Sequence, residues 1–352
     1  MSVPTADRAA TPLGQVDAAL RRMVSVSTGR GNLLGLRHAT LLSFAVLVLV
    51  VGLTGSANTR YGLVFSTVYA IVILGNNAIA ATLQEINLSG GAFLAIGAYT
   101  AVLALDAGWN VLLAMLAAML VAAIIGMVFA FPTTRLTGLA TALVTFTLAF
   151  SILDLANYLG PLTGGDQGKQ VSLDATLVGM RISGSRPGML ILTVLVMVVV
   201  GLAHLWLLHR RPGRIAIAVG EAEFAASVFG TNIRLVKVAV WTWAAGLGGL
   251  AGALYSLSVG YVSSTQWPIM ISILVFVGGL IGGTRSATGA WIGGIVVGGL
   301  PLWLQKIVPA TASSVLFGVI IVLALLAGGK GIAEFGERTG LRLWGALRRK
   351  TT

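Results

Sequence analysis

The sequence predicts an all-α, polytopic membrane protein: a helical bundle of about ten transmembrane helices with both termini in the cytoplasm. Three observations carry this. Of 352 residues, 57% are hydrophobic and only 10% are charged, whereas a water-facing domain carries roughly 25% charged residues. Apolar runs recur from Ala39 onward, each close to the roughly 20 residues an α-helix needs to cross the hydrocarbon core. Lys and Arg fall unevenly on the two sides of those runs.

Segment 1–38 is polar and carries five arginines, with no apolar core near its start. It reads as a cytoplasmic tail, and the first apolar run serves as its own insertion signal. A membrane domain follows over 39–328, and 329–352 is a second cytoplasmic tail. The runs of the membrane domain are 39–56, 62–83, 90–105, 111–131, 139–159, 189–208, 238–261, 269–283, 287–304 and 313–328. None alternates with period 2, so they are helices and not barrel strands. Trp109, Tyr158, Trp206, Tyr261, Trp267 and Trp303 stand near run ends, where amphipathic rings favour the membrane interface.

With the N-terminus inside, 18 of the 23 Lys and Arg fall on the cytoplasmic side. Five lie in the first tail, one at Arg135, five between Arg210 and Lys237, one at Arg285 and six in the last tail. Arg60, Lys169, Arg181, Arg186 and Lys306 fall outside. This is the positive-inside asymmetry. The net charge of +12 is therefore a topology signal, and no nucleic-acid partner is expected. Splitting the chain after the fifth run leaves two sets of five, and an odd number per half makes an inverted repeat. The third run of each half, 90–105 and 269–283, is short and glycine-interrupted, the pattern that marks a translocation path.

Few polar residues interrupt the runs. Asn76 and Asn77 break the second, either bonding between helices or facing a conduit. Glu85, Asn87 and Ser89 form the polar break before the third, as part of the path or as an ordinary inner turn. Asp154 lies late in the fifth, where a carboxylate costs roughly 2.5–3.5 kcal/mol at mid-helix and less near the end. It either snorkels to the outer interface or lines a polar path. The outer loop 160–188, rich in glycine and polar groups, reads as a plain linker or as an ordered cap or partner-docking surface. Glycine pairs at GxxxG spacing (Gly279 and Gly283, Gly289 and Gly293, Gly294 and Gly298) point to close helix packing, and a pore-lining role is compatible with it.

The inner loop 209–237 carries the sharpest signal. It is basic at both ends and contains Glu221-Ala222-Glu223-Phe224-Ala225-Ala226-Ser227-Val228-Phe229-Gly230. The pattern predicts a short amphipathic helix over 221–229, stopped by Gly230 in the left-handed C-cap conformation. Ala225 and Ala226 would leave a shallow surface for another protein. No GxxxxGK[ST] phosphate loop, GxSxG or HExxH is present, and the three histidines lack metal-ligand spacing. With no cysteine, disulfides, iron–sulfur clusters and thiolate zinc sites are excluded. No catalytic role, cofactor or metal is expected.

Several stretches together resemble one family, the LivM-type permease subunits of branched-chain amino-acid ABC importers. Residues 86–99, Ile-Asn-Leu-Ser-Gly-Gly-Ala-Phe-Leu-Ala-Ile-Gly-Ala-Tyr, are similar to the family's "LSLGHGAFFGIGAY" stretch, with Gly90 where histidine is often found. Arg135-Leu136-Thr137-Gly138-Leu139 with Leu143-Val144-Thr145 resembles "RLRGLYFAIVT", and Leu162-Thr163-Gly164-Gly165 matches "LTGG". Residues 244–255 resemble "GLAGALY", and 278–294 the glycine-rich loop. Ala226 and Gly230 keep the interval of the EAA-type coupling segment, although Phe224 replaces the usual glutamate before the alanines and Glu223 stands one position earlier.

The resemblance implies a bacterial inner-membrane permease with no ATPase activity of its own. Its partners would be membrane lipid, a second homologous permease subunit, two ABC ATPase subunits and an extracytoplasmic solute-binding protein. Glu221, Glu223, Ala225, Ala226 and Gly230 would form the segment that enters an ATPase cleft, and the outer loop would receive the binding protein. Branched-chain amino acids are the leading solute, with urea, short amides and aromatic acids as alternatives. A secondary transporter with inverted repeats is the rival of another class and would need coupling-ion ligands deep in the bundle. A membrane-embedded enzyme would need clustered acid, base or metal-binding groups that the runs lack.

Overall fold

A computed structural model describes residues 35, 37–136, 138–171, 176–177, 180–181 and 184–327. Apart from residues 35, 37 and 38, the two tails expected at 1–38 and 329–352 lie outside the described residues. The chain folds as an all-helical bundle. Its elements are α1 (Arg37–Thr54), α2 (Ala57–Thr82), α3 (Gly90–Asp106), α4 (Val111–Thr133), α5 (Leu139–Tyr158), the one-turn α6 (Gly160–Thr163) and α7 (Pro187–His209). Then come α8 (Arg211–Glu221), α9 (Glu223–Val228), α10 (Ile233–Val259), α11 (Ile269–Gly282), α12 (Ala287–Gly294), α13 (Leu300–Ile307) and α14 (Ala310–Ala327). Every predicted run is helical. Among the described residues, eight helices are long and apolar enough to cross a membrane, with α12 and α13 forming one over Ala287–Ile307. Two shorter apolar helices, α3 and the 312–323 part of α14, complete the set.

Two helices form the centre. In α2, 89% of the most apolar window is buried, and in α10, 78%, against 22% in α1 and 33% in α4. Each occupies second place in its set of five. α3 has 17 residues, about 25 Å at 1.5 Å per residue, so it is shorter than the hydrocarbon core. Gly90 to Leu94 are all buried, which places its start inside protein.

α4 shows how sequence spacing sorts protein from lipid. Leu116, Leu120, Ile124 and Val128 recur every fourth residue and are 54–60% exposed. Residues four apart share a helix face, so this stripe of large side chains faces lipid. Ala114, Ala118, Ala122, Gly126 and Ala130 recur on the opposite face and are buried. That small-residue face lets α10 approach closely. A Cβ on Gly249 would overlap the Ala118 carbonyl oxygen and the Ala122 methyl, and one on Gly252 would overlap the Leu94 carbonyl oxygen of α3. Without water to drive association, such dispersion contacts hold membrane helices together.

Three expectations need correction. Asn76 and Asn77 do not interrupt their helix: α2 runs unbroken from Ala57 to Thr82, because both amides are buried against neighbours instead of freeing backbone groups. The third run of the second half is short, 14 residues in α11, but its helix is unbroken, and the irregular stretch of that half lies elsewhere. It is the π-helical turn Ile295–Gly299 between α12 and α13, where Gly298 and Gly299 press against Phe65, Ser66 and Tyr69 of α2. The helix of the seventh run, α10, begins at Ile233, not 238, because Asn232 caps it by accepting a hydrogen bond from Leu235 N–H at 3.2 Å.

Overpacking a close crossing costs about 1–3 kcal/mol. Gly249→Val should therefore lower the melting temperature of the detergent-purified protein by several degrees. Gly318→Ala, where an added methyl meets nothing within 4 Å, should leave it unchanged.

Candidate functional site

The connection between α7 and α10 is an elbow of two helices. In α8, Gly213, Ala216 and Val219 are buried at three-residue spacing, while Arg211, Arg214 and Ile215 are exposed. α8 is therefore amphipathic and packs on the end of α2, where a Cβ on Gly220 would overlap the Thr82 carbonyl oxygen. The helix expected over 221–229 is divided. Glu221 closes α8, Ala222 takes an extended conformation (φ −157°, ψ 83°), and α9 starts at Glu223.

α9 ends as the sequence predicts. Gly230 is left-handed at φ 76°. Its N–H donates to Ser227 O at 2.9 Å, and Thr231 N–H donates to Ala226 O at 3.1 Å. These two bonds form a Schellman motif, which satisfies carbonyls the helix end would otherwise strand. The exposed surface differs from the expectation. Ala225 faces outward, but Ala226 is buried with Ile79, Leu83, Val219, Val238 and Trp241. The exposed side of α9 is large and apolar instead, with Phe224 at 83%, Val228 at 69% and, just past the helix, Phe229 at 87% exposure.

Lys237 was expected at the edge of a polar loop. It lies in the second turn of α10 and is 1% exposed. Its Nζ is 2.9 Å from Glu85 Oε1 and also pairs with Glu223 Oε1. Glu85 Oε2 accepts from Trp241 Nε1 at 3.2 Å. The Glu85 side chain is 6% exposed and that of Glu223 43%. One ammonium thus joins three elements: the turn after α2, the start of α9 and the inner end of α10. The turn is made by Gln84, which adopts a left-handed conformation rare outside glycine (φ 56°), and Glu85 follows it inward.

The remaining candidate path residues divide. Asn87 Oδ1 accepts from Ser89 N–H at 2.9 Å and from Ser89 Oγ–H at 2.6 Å, an Asx-type turn that leads into α3. Leu88 N–H donates to Thr145 Oγ1 at 3.1 Å, and Gly91 N–H to Ser272 Oγ at 2.9 Å. Sequence reasoning missed both hydroxyls. Asn77 packs on Gly279, and its Nδ2 reaches Gly283 O at 3.5 Å. Asn76 is 4% exposed and its Oδ1 has no partner. It lies one turn along α2 from Val72, which sits beside Gly90 at the start of α3. Asp154 is exposed and is not brought together with any of these residues.

The outer loop is ordered where it is described. Gly164, Gly165 and Gly168 are all left-handed, which folds the Leu-Thr-Gly-Gly segment into tight turns. Lys169-Gln170 (β1) then pairs antiparallel with Tyr261-Val262 (β4), in register Lys169 to Val262. Ser264 Oγ donates to Asp166 Oδ1 at 2.7 Å, and Lys169 Nζ lies 3.3 Å from Asp106 Oδ2. A second two-residue pair, Thr176-Leu177 (β2) with Met180-Arg181 (β3), makes a hairpin farther along. Of the two readings, cap or linker, the described part is a cap tied to the α10–α11 connection.

Comparison with known proteins agrees with this architecture. Residues 58–325 match the family described as branched-chain amino acid transport system / permease component. The chain is 30% identical over 242 residues to the high-affinity branched-chain amino acid transport system permease protein LivM of Escherichia coli (strain K12), covering 62% of this chain and 57% of that one. It is 26% identical over 249 residues to the probable branched-chain amino acid transport permease protein LivH of Methanocaldococcus jannaschii, covering 67% and 76%. To the autoinducer 2 import system permease protein LsrC of Enterobacter sp. (strain 638) it is 25% identical over 314 residues, covering 82% and 87%. The match thus spans just over half the length of LivM, and no solved structure matches. The multi-pass apolar bundle and the extent of the family match, from the start of α2 into α14, support one conclusion: the chain belongs to the family of branched-chain amino acid transport system permease components.

Proposed function

We propose that the chain is a permease subunit of an ATP-driven importer of a small polar solute, branched-chain amino acids foremost. The names of the relatives support the class of transporter, and two of the three quoted name this solute. Its partners are a second homologous permease, two ABC ATPase subunits and an extracytoplasmic binding protein. The assignment of the elbow to the cytoplasmic side rests on the Lys and Arg asymmetry.

One observation carries the mechanism: an exposed apolar knob is fixed to the bundle core by a buried cation. Phe224, Val228 and Phe229 present the large, rigid surface that interface anchors need, and they enter a cleft in the ATPase. Glu223 holds the start of that knob to Lys237, and Lys237 holds Glu85. A push on α9 is thereby delivered to α10 and α2, the two central helices, and to the turn that leads into α3. Glu221, on the far side of the Ala222 kink, stays with α8. Along the path, Asn76 is the residue proposed to meet solute, since its buried oxygen is unpartnered. Asn77, Asn87 and Ser89 shape the backbone around it.

Interface anchors are worth about 2 kcal/mol or more. In reconstituted transporter, Phe224→Asp with Phe229→Asp should weaken ATPase docking by roughly 30-fold or more and abolish uptake, with normal membrane insertion. Gly230→Val, strained by the left-handed backbone, should also uncouple uptake from ATP hydrolysis. Wild-type uptake by both would remove the coupling assignment.

Breaking a buried ion pair from one side costs about 3–5 kcal/mol. Lys237→Met should lower thermal stability strongly, and adding Glu85→Gln should recover part of the loss. Asp154→Asn should hold uptake within about twofold, as for exposed positions. Complete loss of uptake would instead favour ion coupling at Asp154.

A further inference from the structure

Behind the elbow lies a cavity that plays no part in the coupling described above. It has a volume of about 420 Å³, within the roughly 300–1,000 Å³ typical of small-molecule sites. Its wall is built by α2 (Ala78, Thr82), α7 (His204, Leu207, Leu208), α8 and α10, and is almost entirely apolar. It is elongated. On α10 the lining runs from Leu235 to Trp243, about 12 Å along the helix at 1.5 Å per residue.

One end of the cavity is different. Arg211 and Pro212 lie on its wall, and the same two residues join His209, Arg210 and Arg214 in an adjoining groove. Arg211 and Arg214 are exposed on the first turn of α8. Arg210 stacks over the Trp206 ring at 5.2 Å from its centroid, which holds its guanidinium beside the groove. None of the three arginines is ion-paired with an acidic side chain among the described residues. They lie at the helix N-terminus, whose free N–H groups and dipole already favour an anion. Deeper in, His204 and Trp243 line the cavity through their apolar ring atoms.

We propose that this cavity is a binding site for one anionic phospholipid of the inner leaflet. The phosphate sits among Arg210, Arg211 and Arg214, and one acyl chain fills the apolar slot between α7 and α10. Charge complementarity selects this occupant. Basic pockets between transmembrane helices on the cytoplasmic side suit anionic headgroups, and guanidinium groups fit phosphate in a bidentate manner. A polar solute in transit would find almost no polar partner on these walls. Because α8 packs on both the lipid slot and the end of α2, an occupied site would brace the elbow against the bundle.

Native mass spectrometry of the full-length protein, titrated with phosphatidylglycerol or phosphatidylcholine, tests this. Phosphatidylglycerol should be retained in one copy at laser or collision energies that strip phosphatidylcholine. The double variant Arg211→Gln, Arg214→Gln changes only exposed residues and should weaken retention roughly 30-fold. Ala239→Phe, which fills the slot while leaving the arginines in place, should also abolish it. Equal retention of both lipids, or retention of phosphatidylglycerol unchanged in both variants, would overturn the proposal.

Discussion

The ammonium of Lys237 is the constraint on which the inner half of this molecule depends. It is 1% exposed, at the end of a membrane-spanning helix, and removing an ammonium from water costs several kcal/mol. Two carboxylates offset that cost, from Glu85 and Glu223, and the second of them is 43% exposed, so the excess negative charge stays hydrated. Such a group adds little net stability over a well-packed apolar side chain. Its contribution is register: α9 can start at only one place relative to α10 and the α2–α3 turn.

The rest of the inner face follows from that register. With Glu223 fixed, Ala226 turns inward and Phe224, Val228 and Phe229 turn outward, so the packed and exposed faces of a six-residue helix are decided together. The Schellman end at Gly230 then releases the chain into Asn232, which caps α10. On the other side of the Ala222 kink, α8 keeps its small buried residues on α2 and its arginines toward the surface. The elbow is thus two exposed surfaces in series, one apolar on α9 and the other basic on the first turn of α8.

The fold was largely legible in the sequence, and for a physical reason. Lipid demands long apolar helices, so length and hydropathy locate them, and helix ends lie within about five residues of the run ends. What was not legible depends on side chains meeting across the fold. Lys237 lies between Val236 and Val238, with Trp241 one turn on; an embedded lysine in that setting was the available signal, but a count of charges by loop assigns it to water. Ala225 and Ala226 look equivalent in sequence, and only the burial of one separates them. Asn76 and Asn77 look like a break, yet a buried helix accommodates them because glycine and backbone on α11 receive Asn77. The Leu-Thr-Gly-Gly segment was recognised as a motif, whereas its reason, three left-handed glycines that set β1 against β4, belongs to the folded chain.

If one cation makes α9 and the α2–α3 turn a single mechanical unit, the distance between them must be independent of the transport cycle. The chain has no cysteine, so spin labels at Ser227→Cys and Ile86→Cys, both at exposed positions, report that distance directly in the assembled transporter. The account requires one narrow distance distribution, the same with and without ATP, that broadens when Lys237→Met is added. A distance that shifts with nucleotide while Lys237 is intact would contradict it.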